Sequence, residues 1–270
     1  MPTTLPPPKA DPKSLLLDLL LAVDDTPLPV RDAVCAAALF GISENHLRVT
    51  LARLGASGFV EATERGAYRL GPAARRLAHD VATWRTTEQR LRPWQGDYVA
   101  VHCTALSRSV RPALRQRHRA LHMLGFAELQ RDFYVRPNNM ERDVDAIRQR
   151  LYALGLDPQA LVFAGAAFDT ATEAHIRTLW DGAALNAQYQ SQRDHLLAWL
   201  AQAGQLDIAQ AARESFFLGG QAIRHIVYDP FLPEPLVDVA LRHAFIATVQ
   251  QFDSTGRAIW SRFFQSLPTP

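Results

Sequence analysis

The sequence predicts an α+β chain of several domains, and the pattern of its apolar residues predicts it in three stretches. Apolar residues recur at helical spacing near the start and are followed by a short hairpin pattern. A β-α-β-β-α-β order comes next, and from residue 170 onward the pattern is helical. A length of 270 residues exceeds what one small domain needs, and 48% hydrophobic residues suffice to fill a core throughout. The boundaries expected are a flexible, proline-rich tail over 1–12, a first domain over 13–92, a central domain over 93–169 and a helical domain over 170–270.

Lys13 to Val23 sets Leu15, Leu16, Leu19 and Leu20 on one stripe, which predicts a first helix. Asp24, Asp25 and Pro27 break it, and Pro29 suits the start of a second helix from about Val30 to Leu39. Phe40-Gly41-Ile42-Ser43 reads as a tight turn, with Gly41 free to take positive φ and Ser43 placed to cap a third helix starting at Glu44. After Gly58, Phe59 to Ala62 and Tyr68 to Leu70 read as strands joined by a turn at Glu64-Arg65-Gly66. Helix, helix, turn, amphipathic helix and hairpin in this order predict a winged helix-turn-helix.

In the third helix Leu47, Leu51 and Leu54 share one face, so Asn45, Arg48, Val49, Ala52 and Arg53 look the other way. Asparagine and arginine hydrogen-bond base edges, and small side chains permit close approach to a major groove. Ser43, Asn45, His46, Arg48, Val49, Arg53, Arg65 and Arg69 are therefore the expected DNA-binding set, Arg65 and Arg69 through the hairpin. A scaffolding three-helix unit, with a solvated loop arginine at position 65, is the plainer alternative.

Gly71 to Leu91 reads as a connecting helix. Then follow a strand (Tyr98 to Cys103), a helix (Val110 to Leu124), two strands (Ala127 to Gln130 and Phe133 to Arg136), a helix (Glu141 to Leu154) and a strand (Leu161 to Ala166). That order predicts a ferredoxin-like, split β-α-β domain. Helices are clearest afterwards over Ala174 to Trp180, over Tyr189 to Leu200 and beyond Pro235, and Gly219-Gly220 reads as a turn. Trp180, Trp199 and Trp260 sit at apolar helical positions and read as packing.

Arg131, Tyr134 and Arg136 straddle the central hairpin, where an aromatic between arginines suits an effector with an aryl end and a phosphate; ordinary sheet surface is the alternative. Arg111, Arg115 and Arg119 recur at helical spacing, as either a solvated face or a basic stripe for the phosphates of coenzyme A or of DNA. His118 and His122 are spaced i, i+4 but lack a companion glutamate, and Arg115, Arg117 and Arg119 oppose a cation beside them, so no metal site is expected. No nucleophile elbow, Walker loop or dinucleotide loop occurs, so the sequence calls for no cofactor and no catalysis. Two cysteines, Cys35 and Cys103, make no disulfide framework. With no secretory leader and no apolar run of bilayer length, a cytoplasmic protein without membrane contact is expected.

Gly41-Ile42-Ser43, the run Leu47 to Leu54 and Gly58-Phe59-Val60-Glu61 resemble the PaaX family, the phenylacetic-acid catabolon repressors. The likeness continues through Trp94-Gln95-Gly96-Asp97-Tyr98, Leu124-Gly125-Phe126, Tyr134-Val135-Arg136-Pro137 and Tyr228 to Pro233. The resemblance implies a homodimeric repressor on a partly palindromic double-stranded operator, released by an aryl-acyl-coenzyme A effector in an aromatic-acid catabolic operon. Two stretches depart from the family pattern. Asp24 to Pro29 replaces a basic, glycine-containing lead into the second helix, and the first central strand ends His102-Cys103-Thr104 rather than in a carboxylate, which argues against nuclease chemistry. An activator with the same contacts, or an acyl-thioester enzyme with a docking winged helix, are the alternatives.

Overall fold

The computed structural model describes residues 10–22, 26–63, 66–74 and 83–267. The chain forms two compact units that do not follow chain order. The first takes the residues up to Thr83 with Ala203–Phe217 and the segment from Asp253; the second takes Trp84–Gln202 and Leu218–Phe252.

The first unit opens with α1 (Pro12–Ala22), whose Leu15, Leu16, Leu19 and Leu20 are at most 3% exposed. A two-residue strand, β1 (Leu28–Pro29), leads directly into α2 (Val30–Ala38), with Pro29 as its N-cap. The sequence reading, with a break at Asp24, Asp25 and Pro27 and a helix start at Pro29, missed this strand. Leu28 pairs with Tyr68 at the edge of a sheet, and an edge is where proline, lacking an N–H, is tolerated in a ladder. Ala33, Ala36 and Ala37 are buried on α2 and let α3 (Glu44–Ala56) approach closely. Between the two helices Gly41 takes φ +70°, a left-handed conformation that side chains disfavour. Strands β2 (Val60–Ala62) and β3 (Ala67–Leu70) close a three-stranded antiparallel sheet of order β1-β3-β2. Later in the chain Phe216 and Phe217 set their rings edge-on to Phe40, at 5.0 and 5.4 Å.

The connecting helix expected over 71–91 is helical at 72–74, and its middle lies outside the described residues. Its end, Thr83–Arg90, is a 3-10 helix rather than an α-helix. Trp84, Thr86 and Thr87 disfavour an α-helix here, since β-branched and bulky side chains lose rotamer freedom against a preceding α-turn.

The second unit holds β4 (Tyr98–His102), α4 (Arg111–Met123), β5 (Ala127–Gln130), β6 (Phe133–Pro137), α5 (Val144–Ala153) and β7 (Leu161–Ala166). The sheet order is β5-β6-β4-β7 with every neighbour antiparallel, the interleaved order of a split β-α-β unit. Central β4 is buried on both faces: Tyr98, Val99, Ala100 and Val101 are each 0% exposed. Helix α6 (Thr170–Ile176) packs Ile176 against Tyr98, Ala100 and Val135.

Three long helices complete the chain: α7 (Gly182–Gln202), α8 (Ile208–Val227) and α9 (Val239–Gln265). The sequence reading of Gly219-Gly220 as a turn is overturned, because both lie inside α8. Glycine's low helix propensity is outweighed by packing here, where a Cβ on Gly219 would already meet the Phe252 ring at 3.4 Å.

Candidate nucleic-acid interface

Helix α3 is a two-sided element. Ser43 caps it, its hydroxyl accepting the His46 N–H at 3.3 Å. Leu47, Leu51 and Leu54 are at most 4% exposed and fix the helix against its own unit. Asn45, His46, Arg48, Val49, Ala52 and Arg53 are all exposed, Val49 by 41%. Arg48 is held along the helix by Glu44, at 2.7 Å, with both side chains more than half exposed. Such an exposed pair contributes at most about 1 kcal/mol, so Arg48 can exchange Glu44 for another anion at little cost.

On the hairpin Arg69 faces Glu61 in direct register and pairs with it at 3.0 Å. Arg69 remains 52% exposed. Arg65 lies outside the described residues. Of the sequence-derived set, the structure thus gathers Ser43, Asn45, His46, Arg48, Val49 and Arg53 on one helix and sets Arg69 on β3, in the same unit. Three of these make local contacts besides: Ser43 as a cap, Arg48 with Glu44 and Arg69 as a cross-strand partner.

The residues expected to hold an effector are not brought together as a surface. Arg131 is exposed in the turn between β5 and β6. Tyr134 is 6% exposed, and burial, then the neighbouring Glu128 carboxylate, push its hydroxyl up to about 12. Arg136 is 1% exposed, and its guanidinium donates to the carbonyls of Leu124 and Pro137 and, at 3.0 Å, to Asn139 Oδ1. These bonds make it an internal strut. Positions 134 and 136 share one face of β6, and that face is turned into the unit rather than to solvent.

What the sequence did not announce is the polar knot around that strut. Asn139 Nδ2 donates to the Phe231 carbonyl at 2.8 Å, Arg242 Nη1 to that of Leu232 at 2.5 Å, and Trp180 Nε1 to that of Gly125 at 3.2 Å. Gly125, at φ +71°, lies so near the Pro230 backbone that a Cβ would stand 2.6 Å from its carbonyl oxygen. The Leu124-Gly125-Phe126 and Tyr228 to Pro233 runs therefore meet in space. The sequence marked both runs only through their likeness to the PaaX family, which names no contact between segments so distant along the chain. Beside the knot Asp229 is buried, and loss of water raises its carboxyl above the usual range.

His118 lies 6.4 Å from the Tyr134 ring and His122 5.9 Å from that of Tyr228. Among the described residues no group of three His, Cys, Asp or Glu side chains is placed to hold a metal ion. Cys35 and Cys103 are both free.

Comparison with known proteins adds two findings. Residues 180–262, most of α7 to α9, match the family model described as the PaaX-like protein C-terminal domain. Among solved structures the chain is similar to the uncharacterized protein Rv0674 from Mycobacterium tuberculosis, with 22% identity, a TM-score of 0.61, and coverage of 92% of this chain and 98% of that one. Identity that low speaks for a shared fold alone. No curated protein matches.

Proposed function

From the PaaX-like C-terminal domain that this chain carries, we propose that it is a DNA-binding transcriptional regulator rather than an enzyme. The first unit is read as a winged helix-turn-helix, α3 as its recognition helix and the β2–β3 hairpin as its wing. The single observation behind this is the exposed face of α3, where Asn45, Arg48, Val49 and Arg53 stand free of the core while three leucines anchor the other side. Asparagine offers a bidentate match to adenine and arginine to guanine, each pair discriminating by about 1–3 kcal/mol. Arg69, and Arg65 on the sequence reading, supply phosphate contacts that orient the helix without reading sequence.

The finer proposal is a cytoplasmic homodimeric repressor of an aromatic-acid catabolic operon, released by an aryl-acyl-coenzyme A. No helix among the described residues is long and apolar enough to cross a membrane. One helix reads one half-site, so a palindromic operator calls for two copies with recognition helices about 34 Å apart or a multiple of it. An effector releases such a dimer only by preferring an arrangement with another spacing. The test is footprinting on the promoter of the protein's own transcription unit, followed by titration of Asn45→Ala and Arg48→Ala. Each is expected to weaken the footprinted site about 10- to 100-fold while random duplex binds within about threefold of the parent. Unchanged affinity for the site in both variants overturns the reading. Aryl-acyl-coenzyme A esters are expected to release DNA unaltered; turnover would point to an enzyme instead.

A further inference from the structure

Helix α4 carries a surface that the regulator reading leaves unused. Its sequence, Arg-Pro-Ala-Leu-Arg-Gln-Arg-His-Arg-Ala-Leu-His-Met, contains no acidic residue. At about 100° per residue, Arg111, Arg115, Arg119, His118 and His122 fall within an arc of about 100°. All five are exposed, while Arg117, Ala120 and Leu121 are buried on the other side.

The fourth arginine of the helix is turned inward and finds its partners within the chain. Arg117 is 4% exposed, donates to the Ser107 carbonyl at 3.0 Å and lies 3.7 Å from Asp132. Asp132 is also taken by Arg108, at 2.8 Å, and its own N–H is taken by Glu128. Arg111, Arg115 and Arg119 have no ion-pair partner among the described residues, unlike Arg48, Arg69, Arg150 or Arg177, each of which does. Like charges at i, i+4 destabilise a helix by about 0.2–0.5 kcal/mol per pair, and no ion pair among the described residues offsets that. A polyanion does.

We propose that this arc is a contact surface for the phosphate backbone of duplex DNA, carried by the second unit and separate from the α3 face. Its three arginines repeat about every 6 Å over about 12 Å of helix. A duplex presents one negative charge per about 1.7 Å of axis, so several phosphates lie within that length. The phosphates of a single nucleotide cluster too closely to face all three. Single-stranded nucleic acid is bound chiefly on rows of aromatic stacking platforms, whereas this arc is dominated by three arginines, with exposed rings only at His118, His122 and the neighbouring Tyr228 among the described residues. Contacts of this kind add affinity without sequence preference. The regulator reading enters only in the choice of polymer.

The experiment uses the full chain, a random-sequence duplex and the footprinted site, with affinity followed over about 50–200 mM salt. Arg111→Gln/Arg115→Gln/Arg119→Gln is expected to lower the slope of log K against log salt by about 2 to 3 and to weaken both duplexes at least about tenfold at low salt. Its preference for the site over random duplex should persist. Asn45→Ala/Arg48→Ala should do the reverse, losing preference and keeping most of the slope. The matching triple Arg→Lys variant should keep the parent slope, and glutamine, a good helix former, should leave the melting temperature unchanged or slightly raised. An unchanged slope in a folded glutamine variant overturns the proposal even when the α3 variants behave as expected. So does a variant that loses binding to free nucleotide or polyglutamate but not to duplex. A parent chain that binds no duplex at all sinks both readings together.

Discussion

At Ser43 one hydroxyl decides where α3 begins, because it accepts the His46 N–H, one of the four that a first helical turn leaves without a partner. Ser43→Ala is expected to cost about 1 kcal/mol, read as a lower melting temperature, while Ser43→Asp, which keeps the acceptor, should cost almost nothing. Cysteine reactivity is decided at the same scale. Cys103 is 0% exposed, and burial pushes its thiol up to about 11, whereas Cys35 is only half-buried. The thiolate is the reactive form, so at mildly alkaline pH iodoacetamide is expected to label Cys35 in the folded protein and Cys103 only on unfolding. Rapid labelling of Cys103 in the native state would contradict its placement. Ser43, with its turn glycine before it and its helix after it, was legible in the sequence. The burial of Arg136 was not: a hairpin pattern locates a strand, but which face lies inside depends on what packs against it.

The element scale separates α3 into a side that holds and a side that is free. Leu47 is 0% exposed, so Leu47→Ala should destabilise the first unit by about 2–5 kcal/mol, whereas Val49→Ala should stay within about 0.5 kcal/mol and show itself, if at all, in DNA binding. A comparison of the two denaturation midpoints checks this. In the second unit Gly125→Ala meets both a left-handed φ and the Pro230 backbone, so it is expected to cost well over 1 kcal/mol, more than any exposed glycine in the chain. The amphipathic helices and the strands of the central sheet were legible because their side-chain periods of 3.6 and 2 are written locally. Strand β1 was not, since two residues have no period, and α8 was misread at Gly219-Gly220 because propensity speaks before packing is known.

The whole molecule is interleaved: Ala203–Phe217 and the segment from Asp253 return to the first unit, and Leu218–Phe252 completes the second. A chain truncated after Gln202 therefore removes parts of both units. It is expected to lose cooperative unfolding in each, and a fragment melting as sharply as the parent would contradict the division. Taken alone, the sequence determined the two kinds of element, the order of the first three helices and of the central strands, the anchored and open faces of α3, and the likeness that the C-terminal match supports, because each depends on residues near one another in the chain. Tertiary structure alone decided that Arg136 is a strut, that Gly125 meets Pro230, and that the late helices serve two units. Those outcomes rest on contacts between residues far apart in sequence, and the free energy of such contacts exists only once the chain has closed on itself.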